Sequence, residues 1–151
     1  MSQDVTESKF VYVTYVRTTP ERLWEALTEP EFTRQYWMGT RQESEWVPGA
    51  SWRLYFEDGR LADSGEVMEI ERPKQLVLKW RNEFRPELTE EGYSRATMEL
   101  EPLGEMVKLT VTHEAPVAKS KFIEAVGGGW PMILSSLKSL METGEALGVM
   151  R

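Results

Sequence analysis

An α+β domain is predicted, with a curved antiparallel sheet of about seven strands lying between helical elements at the two ends of the chain. Three observations carry this reading. A capped amphipathic segment, Thr19-Pro20-Glu21-Arg22-Leu23-Trp24-Glu25-Ala26-Leu27-Thr28-Glu29-Pro30, stands near the start. A glycine run, Gly127-Gly128-Gly129-Trp130-Pro131, leads into an apolar-striped helix near the end. Between them the helical period is replaced by two-residue alternation punctuated by turn residues. With 151 residues, 40% of them apolar and 28% charged, a single domain over residues 1–151 is expected, its core spanning about 10–147.

Residues 10–17 read as a strand, with Phe10, Tyr12, Thr14 and Val16 on one face and Val11, Val13 and Tyr15 on the other. Thr19 then supplies an N-cap oxygen and Pro20 has its φ preset for a first helical turn, so a helix follows with Leu23, Trp24, Ala26 and Leu27 on its apolar side. Pro30 ends it. A second short helix is expected over residues 31–36, presenting Phe32, Tyr36 and Trp37 before Gly39. Six strands come next, over residues 40–46, 51–56, 63–70, 75–81, 93–100 and 106–113. Their turns are Pro48-Gly49, Asp58-Gly59, Arg72-Pro73, a charged loop over 82–92, and Pro102-Leu103-Gly104-Glu105. None of these loops could hold a parallel crossover, so an antiparallel meander is the expected connection.

Alternation gives the sheet one apolar face, and the last helix is the element long enough to cover it. That helix is expected over residues 131–144, with Pro131 in its first turn, Gly144 at its end, and Trp130, Ile133, Leu134, Leu137, Leu140 and Met141 on its stripe. Ser135, Ser136, Lys138 and Glu142 fall on the outer side. Close approach of the helix to the sheet, or a hinge, accounts for the three glycines.

Composition excludes several function classes. Cysteine is absent, which removes disulfides, thiolate nucleophiles and cysteine-based metal sites. The net charge of −7, with basic residues interspersed among acids, argues against nucleic acid as a partner. No apolar run approaches the ~20 residues of a membrane span, and residues 1–9 are too polar for a signal peptide. The cytoplasm is the expected location. One histidine and scattered carboxylates imply no metal site and no cofactor.

The capped segment at 19–30, the pair Tyr36-Trp37, Pro48-Gly49 before a strand, Val111-Thr112-His113-Glu114, and Gly129-Trp130-Pro131 with Leu137, Leu140 and Glu142-Thr143-Gly144 together resemble the activator of heat-shock protein 90 ATPase homologue family. That family lies within the START-like (SRPBCC) superfamily, and the resemblance runs from about Phe10 to Gly144. It implies a helix-grip fold, in which the sheet wraps around the C-terminal helix and leaves a cavity for apolar or aromatic ligands. Lipid binding, a stress-response setting and a chaperone partner are implied by the same resemblance.

Candidate site residues follow from the inward parity and the resemblance. They are Trp37 after the second helix; Trp52, Leu54, Phe56, Leu78, Trp80, Met98, Leu100, Leu109, Val111 and His113 on the strands; and Trp130, Leu134, Leu137 and Met141 on the last helix. The aromatic members are expected to border a cavity that large side chains only partly fill. His113, the lone histidine, is the one candidate for acid–base work, although a hydrogen-bonded structural histidine is the commoner occupant of such a position. Paired acids such as Glu69 and Glu71, or Glu90 and Glu91, read as solvated surface. The expected function is therefore binding rather than catalysis, with an apolar small molecule as ligand and a monomer or homodimer as the assembly. A co-chaperone-like regulator is the alternative, and a cyclase or dehydratase acting on a pocket-bound aromatic substrate is a further one.

Overall fold

The computed structural model describes residues 6–147. Its elements in chain order are β1 (Ser8–Val16), α1 (Pro20–Thr28), α2 (Pro30–Tyr36), β2 (Arg41–Ser44), β3 (Ser51–Tyr55), β4 (Leu61–Glu71), β5 (Gln75–Asn82), α3 (Pro86–Thr89), β6 (Ser94–Leu103), β7 (Met106–Ala115) and α4 (Lys121–Thr143). The seven strands form one curved sheet in the order β1-β7-β6-β5-β4-β3-β2, every pairing antiparallel. β2 to β7 thus run as the expected meander, and β1 joins its far end along β7.

The inner face follows the expected parity. Trp52, Leu54, Leu76, Leu78, Trp80, Met98, Leu100, Val107, Leu109, Val111 and His113 are all buried, beneath Leu23, Trp24, Leu27, Trp130, Leu134 and Leu137 from the helices. On β1 the faces differ: Val11, Val13 and Tyr15 stand exposed while Val16 is fully buried. Thr19 caps α1 by accepting from the Arg22 N–H at 3.2 Å. A polar thread ties the early elements together, because the buried Gln42 amide donates to the Leu27 carbonyl at 2.6 Å and accepts the Trp52 indole N–H at 2.8 Å.

The last helix differs from the expectation. α4 begins at Lys121, runs through all three glycines and holds Pro131 in its interior. Ser120 caps it, accepting from the Ile123 N–H at 3.0 Å, and the Glu91 carboxylate accepts both the Ser120 hydroxyl at 2.6 Å and the Lys121 N–H at 2.8 Å. A carboxylate at the positive end of a 23-residue helix is well placed electrostatically. Glu91 is therefore a capping group, not the solvated surface acid expected of it. Packing overrides the glycines' poor propensity: a Cβ at Gly127 would meet the Phe10 ring at 3.2 Å, so this glycine lets α4 lie close on β1. Two smaller differences follow. Ser136 is buried rather than outward, its hydroxyl accepting from the Leu147 N–H at 3.0 Å. The charged loop carries α3, whose Leu88 is buried in the core.

Candidate functional site

Two rows of cross-strand partners build the floor of the site. In the first, Leu54 on β3 faces Asp63 on β4, which faces Asn82 on β5; in the second, Trp52 faces Gly65, which faces Trp80, which faces Ser94 on β6. A bulge at Ala62, where the register moves from Leu54/Asp63 to Tyr55/Leu61, brings both Ala62 and Asp63 to the interior. Above this floor lie the turn after α2, α3, and the first half of α4.

The space between them is a cavity of about 250 Å³, open on one side. Its walls are Trp37, Leu54, Phe56, Trp80, Leu88, Phe122, Trp130 and Ile133, and its mouth is formed by Met38, Phe84, Arg85, Ala125 and Gly129. Polar groups are few: Thr40, Asp63 and Asn82. Trp37, Trp80 and Trp130 form a triangle of rings with centroid separations of 6.0, 5.8 and 5.6 Å, and Trp52 backs Trp80 at 4.4 Å. At the mouth Phe84 meets Phe56 edge to face at 4.8 Å.

His113 lies behind this wall, fully buried and away from the cavity. The Trp130 indole N–H donates to His113 Nδ1 at 3.1 Å, which leaves the ring proton on Nε2, facing the Ser94 hydroxyl at 2.9 Å. The Ser94 hydroxyl in turn donates a hydrogen bond to the Trp80 backbone carbonyl at 3.0 Å. Burial pushes the imidazole down to about 3. His113 is thus neutral, held in one tautomer, and has neither nitrogen free for a ligand; it pins Trp130 to β6 and β7.

Asp63 has the opposite environment. It is 7% exposed, lines the cavity and has no ion-pair partner among the described residues. Burial raises its carboxyl to about 7; the Trp80 indole N–H opposes the rise and the Glu83 charge adds to it. That N–H favours the ionised form, yet it makes no hydrogen bond that meets normal geometry. Beside it, the Asn82 side-chain amide oxygen Oδ1 accepts the Phe84 and Arg85 N–H groups at 3.1 and 2.8 Å, fixing the turn into α3.

Of the residues expected from the sequence, Trp37, Leu54, Phe56, Trp80 and Trp130 border the cavity. Trp52, Leu78, Met98, Leu100, Leu109, Val111, His113, Leu134 and Leu137 are buried in the core around it, and Met141 packs half-buried against that core. Sequence reasoning missed Asp63 and Asn82, and with them Phe122, Ala125 and Val126 from the first half of α4. Two signals could have found them: the inward parity Asp63 shares with Val67, and Ser120 standing before Phe122, Ile123 and Val126 at helical spacing. No cluster of metal-ligating side chains is present among the described residues.

The family model for Activator of Hsp90 ATPase homolog 1-like protein matches residues 17–142. The chain belongs to this family. Comparison with curated proteins returns no significant match. Among solved structures, a protein from Mesorhizobium loti is similar at 21% identity, with a TM-score of 0.76 over 89% of this chain and 97% of that one. The Aha1 dimer from Colwellia psychrerythraea is similar at 16% identity, with a TM-score of 0.74 over 92% and 99%. An HSP90 activator from Plasmodium falciparum is similar at 25% identity, with a TM-score of 0.71 over 87% and 94%. The helix-grip architecture of the family is the architecture seen here, and no helix among the described residues is long and apolar enough to cross a membrane.

Proposed function

We propose that this family member is a cytoplasmic, single-domain binding protein that holds a small apolar or aromatic molecule between the sheet and α4. The cavity carries the reading: about 250 Å³, walled by aromatic rings and by few polar groups. This exceeds the ~150 Å³ of a dry cavity that takes up benzene and falls short of the ~300 Å³ at which drug-sized sites begin. One or two fused rings is the fitting size. Burying roughly 200 Å² of apolar ligand surface is worth about 5 kcal/mol, a sub-millimolar affinity unless a polar contact adds to it.

Gly129→Leu tests the reading without harming the fold. A Cβ at Gly129 meets only the Ile133 Cδ1 atom, at 4.0 Å, and the position borders the cavity, so the leucine fills the space while improving helix propensity. Naphthalene uptake followed by tryptophan fluorescence should fall by about tenfold or more in this variant, with the melting temperature unchanged or raised. Uptake equal to that of the unaltered protein would remove the cavity from consideration. Native mass spectrometry of gently purified protein would report bound ligand and subunit count together.

A second reading is favoured by the family itself and by the similarity to the Plasmodium falciparum HSP90 activator. In it the chain acts on a chaperone through its surface. Purified protein should then raise chaperone ATPase turnover, and no stimulation at high concentration counts against it.

A further inference from the structure

Asp63 is the feature that an apolar binding site leaves unaccounted for. A carboxyl group buried to this degree is costly in its ionised form unless a positive partner meets it. Here the nearby charges supply none. Arg85 at the cavity mouth is engaged with Glu87 Oε2 through Nε at 3.2 Å and a terminal nitrogen at 2.9 Å. Arg81 is engaged with Glu83 at 2.8 Å, and the Glu83 charge works against ionisation of Asp63. The turn after α2 contributes Trp37, Met38 and Thr40 to the cavity, and α4 contributes Phe122, Ala125, Val126, Gly129, Trp130 and Ile133, none of them charged.

The other half of the feature is the ring triangle. Trp37, Trp80 and Trp130 all line the same space, their rings inclined at 31°, 50° and 72° to one another. Tryptophan offers the strongest aromatic face to a cation, and the attraction grows when water is excluded. A buried acid without a cation, beside such rings, is the arrangement that a protonated nitrogen completes. A hydroxyl or carbonyl could hydrogen-bond to Asp63 but would gain nothing from the rings, and an anion would be repelled by Asp63 and Glu83 alike.

Resting on the binding reading above and narrowing it, we propose that the cavity selects a small aromatic amine, with its protonated nitrogen paired to Asp63 and lying against the rings of Trp37, Trp80 and Trp130. The ring system of the ligand fills the apolar part toward Leu54, Leu88 and Ile133. Selection between ligands of equal shape is then made by charge.

Isothermal titration calorimetry of the whole chain with three probes of nearly equal size tests this: naphthylmethylamine, naphthylmethanol and naphthoic acid. At about pH 8 the amine should bind about tenfold or more tightly than the alcohol, and the acid should bind least. In Asp63→Asn the amine should fall to the level of the alcohol. In the unaltered protein the preference for the amine should grow from about pH 5 to about pH 8, because the ligand stays protonated while Asp63 loses its proton across that range. That profile needs no variant and so does not depend on how Asp63→Asn folds. An alcohol that binds as tightly as the amine, or an amine preference that survives in Asp63→Asn, overturns the assignment of charge while leaving the cavity reading intact. Failure of all three probes to bind overturns both.

Discussion

Trp52 and Trp80 come within 4.4 Å between ring centroids because the residue that separates them across the sheet is Gly65, which puts no side chain between the rings. A Cβ there would also run into the Lys79 carbonyl on β5. Gly65→Ala should therefore cost more than the usual ~1 kcal/mol of a point change, about 3 kcal/mol or more in urea denaturation, and should disorder the aromatic wall. A loss below ~1 kcal/mol would show that β4 and β5 can part there freely. The wall was legible in the sequence because tryptophan and leucine at inward parity have only one comfortable destination. Asp63 was not. An acid at the start of a strand, four residues after Asp58-Gly59, reads as the end of a turn, and its inward placement depends on the bulge at Ala62 and on the burial of its partners Leu54 and Asn82. Alternation assigns a face, but it does not report that a polar residue on the apolar face stays there without a partner. His113 shows the complementary case: its parity was readable, and its role was fixed by Trp130 and Ser94, which come from other elements.

α4 joins two unlike halves. The C-terminal half carries the apolar stripe that the sequence displays openly, and it ends at Gly144, whose φ of 88° is the left-handed cap expected of that glycine. The N-terminal half contains Gly127, Gly128 and Gly129, and Pro131 removes a bond to the Gly127 carbonyl, so local propensity argued for a break. The helix persists because Ser120 and Glu91 satisfy its first turn and because Phe122 and Ile123 are buried. Each of these lies far in sequence from the glycines or gains its value only through a tertiary contact. Gly128 has no such role, since a Cβ there meets nothing within 4 Å and its φ is not left-handed. Gly128→Ala should consequently stabilise the protein by about 0.5–1 kcal/mol, by removing backbone freedom from the unfolded chain. Thermal denaturation would show it as a rise of a few degrees. A drop instead would mean that this half of α4 must flex or that Gly128 meets a neighbour in solution.

Two of the buried titratable groups change protonation in the acid-to-neutral range, and Trp80 adjoins both: its ring lies 5.2 Å from that of His113, and its indole N–H acts on Asp63. Their effects on stability have opposite signs. His113 is pushed from 6.5 down to about 3, so below pH 6.5 the unfolded chain takes up a proton that the folded one refuses, and stability falls with acid until about pH 3. Asp63 is raised from 3.8 to about 7, so from about pH 7 down to pH 3.8 the folded chain takes up a proton that the unfolded one does not, and stability rises with acid. Between about pH 6.5 and pH 4 the two slopes, each up to about 1.4 kcal/mol per pH unit, largely cancel. Single variants should uncouple them. Measured by urea denaturation as a difference from the unaltered chain, so that the surface carboxylates drop out, Asp63→Asn should lose relative stability progressively on acidification from about pH 7 to pH 4, reporting the Asp63 contribution that it lacks. His113→Gln should gain relative stability over about pH 6.5 to pH 3, reporting the His113 contribution that it lacks, while standing lower throughout because Trp130 and Ser94 lose their buried partner. The double variant's difference profile should be nearly flat between about pH 6.5 and pH 4, where the two lost contributions cancel. Difference profiles that run parallel in the two single variants would mean that these groups do not hold the protonation states that their burial dictates. Opposed profiles would establish that both groups are uncharged from about pH 3 to about pH 7, and that above that range the carboxylate facing the cavity ionises while the imidazole stays neutral.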